Sequence, residues 1–126
     1  KTARQVSQIV KKPIVLVAHL RKRDRFNKDL VPGIEEFHGS SDLTKIATVV
    51  LTIGTGVSLA LTLSETFMRV CKSRIDGSLR HYVIRAVYDL KRGTYDESFH
   101  IGKLSKTNSE FEKLEGDNLP HWARPR

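Results

Sequence analysis

"KKPIVLVAHLRKR", residues 11–23, sets five apolar residues, Ile14 to Ala18, between a proline and a histidine that leads into a basic cluster. An unbroken run rich in β-branched residues predicts a strand buried on both faces, as in a parallel sheet sandwiched by helices. Before it, Ala3, Val6, Ile9 and Val10 recur at helical spacing over Ala3 to Lys12. Pro13 ends that helix, because its ring removes the amide and clashes with the preceding turn. A helix feeding a buried strand predicts an α/β domain with a mostly parallel sheet flanked by helices.

Beyond the strand, residues 20–37 are polar, charged and broken by Pro32-Gly33, which predicts a long surface loop. "GSSDLTKIATVVLTIG", residues 39–54, predicts a short helix capped by Ser41 or Asp42, with Leu43, Ile46 and Ala47 turned inward. A second buried strand follows over Val49 to Ile53, and Gly54 to Ser64 fits either a loop or a loose hairpin arm. "TFMRVCKSR" alternates as a strand, "HYVIRAVYDL" is another β-rich run, and Asp76-Gly77 between them signals a turn, so a hairpin is expected. Lys91-Arg92-Gly93 precedes a last short strand near Tyr95 to Ile101. The domain is expected over residues 1–102 and an extended or docking tail over 103–126.

Twenty-two Lys and Arg against fourteen Asp and Glu give a formal net charge of +8, which favours an anionic partner. The most apolar stretch, Ala47 to Leu63, is broken by Gly54, Thr55, Gly56 and Ser58, so no membrane span is expected. Cys71 is the single cysteine, which rules out an internal disulfide and a zinc site built on several cysteines. The chain lacks a starting methionine and opens inside a helical pattern, so it is expected to be a piece of a longer protein.

Three groups of residues carry possible chemistry. His19 stands where the buried strand ends, the position at which ligands bind open α/β sheets, and its imidazole can donate to a phosphate oxygen. A strand-end histidine bonded to backbone is the plainer alternative. Lys72 and Arg74 flank Ser73 at the expected hairpin tip, where two cations can reach a phosphate or remain solvated. The basic run of Arg21, Lys22, Arg23, Arg25 and Lys28 can follow a polyanion, although Asp24 and Asp29 dilute it. Gly39 and Ser40, at the start of the short helix, offer backbone amides to an anion.

Taken in order, "PIVLVAHLRK", "GIEEFHGSSDLTKIATVVLTI" and "FMRVCKSRIDG" resemble the C-terminal half of the RecA-like core of hexameric replicative helicases, the T7 helicase-primase, Twinkle and DnaB type. The resemblance covers roughly residues 3–99. It implies a partial RecA-like core ending in a β-hairpin. It also implies that His19 senses the γ-phosphate, that Arg74 is an arginine finger acting on the ATP of a neighbouring identical subunit in a ring, and that Lys72 lies beside it. Arg21, Lys22, Arg23, Gly39, Ser40 and Lys45 would face single-stranded DNA. ATP and Mg2+ would be cofactors of the intact parent, located in the cytoplasm or another intracellular compartment containing DNA.

The chain departs from that pattern in lacking a G-x-x-x-x-G-K-[ST] phosphate loop, since "GTGVSL" has neither the lysine nor the spacing. No acidic residue ends an apolar strand upstream of His19. Both features belong to the N-terminal half of such a core, so the chain is expected to bind no ATP or Mg2+ and to hydrolyse nothing alone. The alternatives are a non-catalytic nucleic-acid-binding or adaptor module and a RecA-like regulatory ATPase that does not unwind DNA.

Overall fold

The computed structural model describes residues 3–20, 29–33, 41–96 and 99–125. Two helices, α1 (Ala3–Val10) and α2 (Ser41–Ile46), precede six strands: β1 (Val49–Ala60), β2 (Leu63–Ser73), β3 (Val83–Asp89), β4 (Thr94–Tyr95), β5 (His100–Leu104) and β6 (Phe111–Lys113). They form one sheet in the order β1-β2-β3-β5-β6, with β4 also on β3, and every pairing is antiparallel.

This corrects the expected fold class. The described residues form an antiparallel meander, not a mostly parallel RecA-like sheet flanked by helices. The decisive stretch is the one that suggested a buried strand. Residues 14–17 lie outside the sheet, with Val15 86% and Val17 94% exposed. An apolar run records that burial is favourable, but a strand buried on both faces also needs neighbours along both edges. Such neighbours are lacking among the described residues.

Helix α1 forms as its spacing predicts and stops two residues earlier than expected. Lys11 adopts φ 56°, and the amide of Lys12 donates to the Ser7 carbonyl at 3.3 Å, closing the last turn as a Schellman motif before Pro13. In α2, Leu43 and Ile46 remain exposed rather than turning inward.

Strand β1 runs on through the stretch that fitted either a loop or a hairpin arm and turns at Leu61-Thr62 into β2. It lies at an edge of the sheet and alternates, Val50 and Thr52 buried against exposed Val49, Leu51 and Ile53, instead of being buried on both faces. The expected hairpin between "TFMRVCKSR" and "HYVIRAVYDL" is present as the β2–β3 ladder, with Phe67 opposite Arg85 and Arg69 opposite Val83. Its connection is longer than a tight turn. Asp76 caps a short 3-10 helix, Gly77–His81, by accepting from the Ser78 amide at 2.9 Å.

The core lies on one face of the sheet. Phe67 and Val31, each 1% exposed, pack with Val83, and Leu30, Leu104 and Phe111 close around them. The Phe67 and Phe111 rings meet at 5.7 Å. Val31 reaches this core because residues 29–33 cross the sheet as a strap, tied by the Leu30 amide to the Asn108 carbonyl at 2.9 Å. Thr52 fastens the other end by donating its hydroxyl to the Pro32 carbonyl at 2.8 Å. Gly54 admits the strap, since a Cβ there would stand 2.6 Å from the Leu30 carbonyl oxygen.

Candidate functional site

Between Val50 and Leu51 the β1–β2 ladder slips, because Leu51 pairs with Val70 whereas Val50 pairs with Lys72. Cys71 is the extra residue of a β-bulge, which bends the strand and re-aims the side chains that follow it. Its thiol settles 3.3 Å from the Thr52 hydroxyl. The bulge thereby sets Lys72 across from Val50, a short step from the end of α2.

Helix α2 leaves its last carbonyls without intrahelical partners, as every helix end does. Two of them are taken by cations from the end of β2. Lys72 Nζ donates to the carbonyls of Thr44 at 2.7 Å and Lys45 at 2.8 Å. Arg74 Nη2 donates to the same Lys45 carbonyl at 2.8 Å. Positive groups at a helix C-terminus are also favoured by the helix dipole. The backbone is held as well, with the Arg74 amide on the Thr48 carbonyl at 2.9 Å and the Ser73 hydroxyl oxygen accepting from the Asp76 amide at 3.0 Å.

Capping accounts for where the two side chains sit, but not for how many positive groups share the place. Lys72 is partly buried, and loss of water pushes its ammonium below the ordinary lysine value, with Arg74 and then Arg4 of α1 adding like-charge repulsion. Lys45 is the basic residue of the last turn of α2. A lysine ammonium has three N–H donors and an arginine guanidinium five, so both Lys72 and Arg74 keep donors that no acceptor among the described residues takes. Crowded cations with donors to spare can receive an anion, above all a phosphate oxygen.

The other site residues expected from the sequence are not gathered here. His19 is exposed in the segment after residue 17, and no contact ties it to Lys72 or Arg74. Arg21, Lys22, Arg23, Gly39 and Ser40 lie outside the described residues. Sequence reading did not find Arg4, because nothing in a helix pattern says which strand end its polar face approaches. Among the described residues no group of three or more His, Cys, Asp or Glu is placed to hold a metal ion. Nor is any helix among them long and apolar enough to cross a membrane.

Fold and site together define an antiparallel-sheet domain with a cationic cluster at one end. No protein-family model, no curated protein and no solved structure matches the chain.

Proposed function

We propose that this chain supplies phosphate-contacting cations to a ring ATPase that moves along single-stranded DNA, of the replicative-helicase type, with Arg74 reaching the ATP of a neighbouring subunit and Lys72 beside it. The observation that supports this reading is the convergence of Lys72 and Arg74 on the Lys45 carbonyl, with Arg4 close enough to depress the Lys72 ammonium. Carbonyl anchors hold both cations where they stand, so little reorganisation is needed when negative charge arrives, as an electrostatic catalyst requires. Arg74 is exposed, as a group acting on another subunit must be.

Such a finger stabilises charge that develops on the transferring phosphoryl group and does little for the bound ground state. In the assembled ATPase, Arg74→Ala is therefore expected to lower kcat by about 10³-fold or more with nucleotide affinity nearly unchanged. Turnover equal to that of the unaltered protein would remove the assignment.

The antiparallel sheet favours a second reading, a nucleic-acid-binding or adaptor module with no part in hydrolysis. Here Lys72 and Arg74 would contact the phosphates of the strand itself. Binding of an oligonucleotide that weakens steeply with salt and ignores ATP, joined to normal hydrolysis by the Arg74→Ala ring, selects this reading over the first.

A further inference from the structure

The same end of the sheet carries an aromatic surface that neither reading above uses. Tyr82 ends the β2–β3 connection, and Val83 beside it pairs with Arg69 on one side and Gly102 on the other, which brings Lys103 close. Pro120, buried, starts a short 3-10 helix, His121–Ala123, that delivers Trp122 to this place. The indole meets the Tyr82 ring edge-on at 5.9 Å and an interplanar angle of 90°, and Trp122 is still 52% exposed. Lys103 Nζ lies 5.7 Å from the Tyr82 ring centre, a cation-π distance.

Arg124 completes the arrangement. Its guanidinium is pinned by two backbone carbonyls, Nε to Leu119 at 3.1 Å and Nη2 to Asp117 at 2.9 Å. With five N–H donors on a guanidinium, three remain without an acceptor among the described residues. An open cavity of about 510 Å³ is lined by His121, Trp122, Arg124 and Pro125. Glu112, across the ladder from Lys103, offsets part of the positive charge.

We propose that Trp122 is a stacking platform for a nucleobase, with Arg124 and Lys103 taking the phosphate attached to it. The geometry favours this occupant over an apolar peptide. A held, half-exposed indole with Arg124 beside it in the cavity, and Lys103 over the Tyr82 ring it packs against, matches a flat aromatic ring that carries a negative charge, and stacking on an aromatic side chain is how single-stranded nucleic acid is bound without sequence preference. Lys72, near the end of β2, and Tyr82, just before β3, lie at one end of the sheet, so one strand could use both places. The stacking site stands without the ATPase reading, because it involves no hydrolysis.

Trp122 is the only tryptophan of the chain, so its fluorescence reports on this place alone. The unaltered chain is titrated at fixed salt with a twelve-nucleotide oligothymidylate, an abasic oligomer of the same length, and thymidine triphosphate. Stacking predicts saturable quenching by the oligothymidylate and none by the abasic oligomer, whose phosphates alone reach the cations. Equal quenching by triphosphate and oligomer identifies a single nucleotide as sufficient, whereas quenching by the oligomer alone identifies the strand. Trp122→Leu is expected to weaken oligothymidylate binding by about 5- to 150-fold without changing its salt slope. No quenching by either base-bearing probe, or equal quenching by the abasic oligomer, overturns the proposal. The quenching is read on the unaltered chain with no hydrolysis involved, so failure here is separate from failure of the finger.

Discussion

Lys72 Nζ and Arg74 Nη2 donate to one and the same oxygen, the carbonyl of Lys45, each at 2.8 Å. Two cations brought to one acceptor repel each other, and that repulsion is what a bound anion would relieve. A cap for α2 needs one of them, whereas a receptor for phosphate uses both.

Removing either charge tests the receptor. Lys72→Met and Arg74→Ala are each expected to lower the slope of log affinity against log salt for a single-stranded oligonucleotide by about 0.7, one phosphate contact's worth. Slopes identical to that of the unaltered chain would remove both residues from the strand-binding surface and leave the finger to the hydrolysis test.

The Lys72 ammonium titrates below its ordinary value of 10.5, through loss of water first and then Arg74 and Arg4. The unfolded chain then binds this proton more tightly than the folded one, so the group opposes folding while it is charged in both states. That opposition is relieved as pH rises through the lowered value toward 10.5, and this group's contribution to stability increases across that window. NMR titration of Nζ should find the depressed value, and saturation with inorganic pyrophosphate should raise it. Lys72→Met should remove the added stability at high pH, and an unaltered profile of stability against pH would contradict the crowding.

Gly54 is where the strap touches the sheet. Gly54→Ala sets a methyl group 2.6 Å from the Leu30 carbonyl oxygen and 2.8 Å from Pro32 Cδ, too close for either to stay in place. Overpacking of this kind costs about 1–3 kcal/mol, to be read from urea unfolding. Gly77→Ala, with nothing within 4 Å of its added methyl, serves as the control and is expected to change stability little.

Thr52 is 2% exposed, and its hydroxyl donates to the Pro32 carbonyl. Thr52→Val keeps the shape and deletes the stronger donor, leaving the buried carbonyl with only the weak thiol of Cys71, at a cost of about 1–3 kcal/mol. A midpoint of denaturation equal to that of the unaltered chain would mean that Cys71, whose thiol also reaches the Pro32 carbonyl at 3.8 Å, had taken over the bond.

Helix α1, the hairpin of β2 and β3 and the position of Lys72 and Arg74 beside its turn were all legible in residue order. Each rests on contacts or periods spanning a few residues: the 3.6-residue spacing up to Val10, the alternation around Phe67, and the Asp76-Gly77 signal. Cys71 as a bulge was not legible, since a bulge appears only when the partner strand is known. The same holds for the charge of Arg4 acting on Lys72 and for Trp122 against Tyr82, pairs separated by tens of residues.

Sequence alone determined the excess of positive charge, the lack of an internal disulfide and of a phosphate loop, the helix before Pro13 and the β-rich character of residues 66–90. Tertiary structure decided that the sheet is antiparallel, that Val31 rather than Val15 enters the core, and that Lys72 and Arg74 meet α2. The reason is physical. Apolar periodicity states how much surface a segment gains by hiding, whereas strand direction and partner depend on which loops close and which edges meet. Those pairings lie far apart along the chain, and no short stretch encodes them.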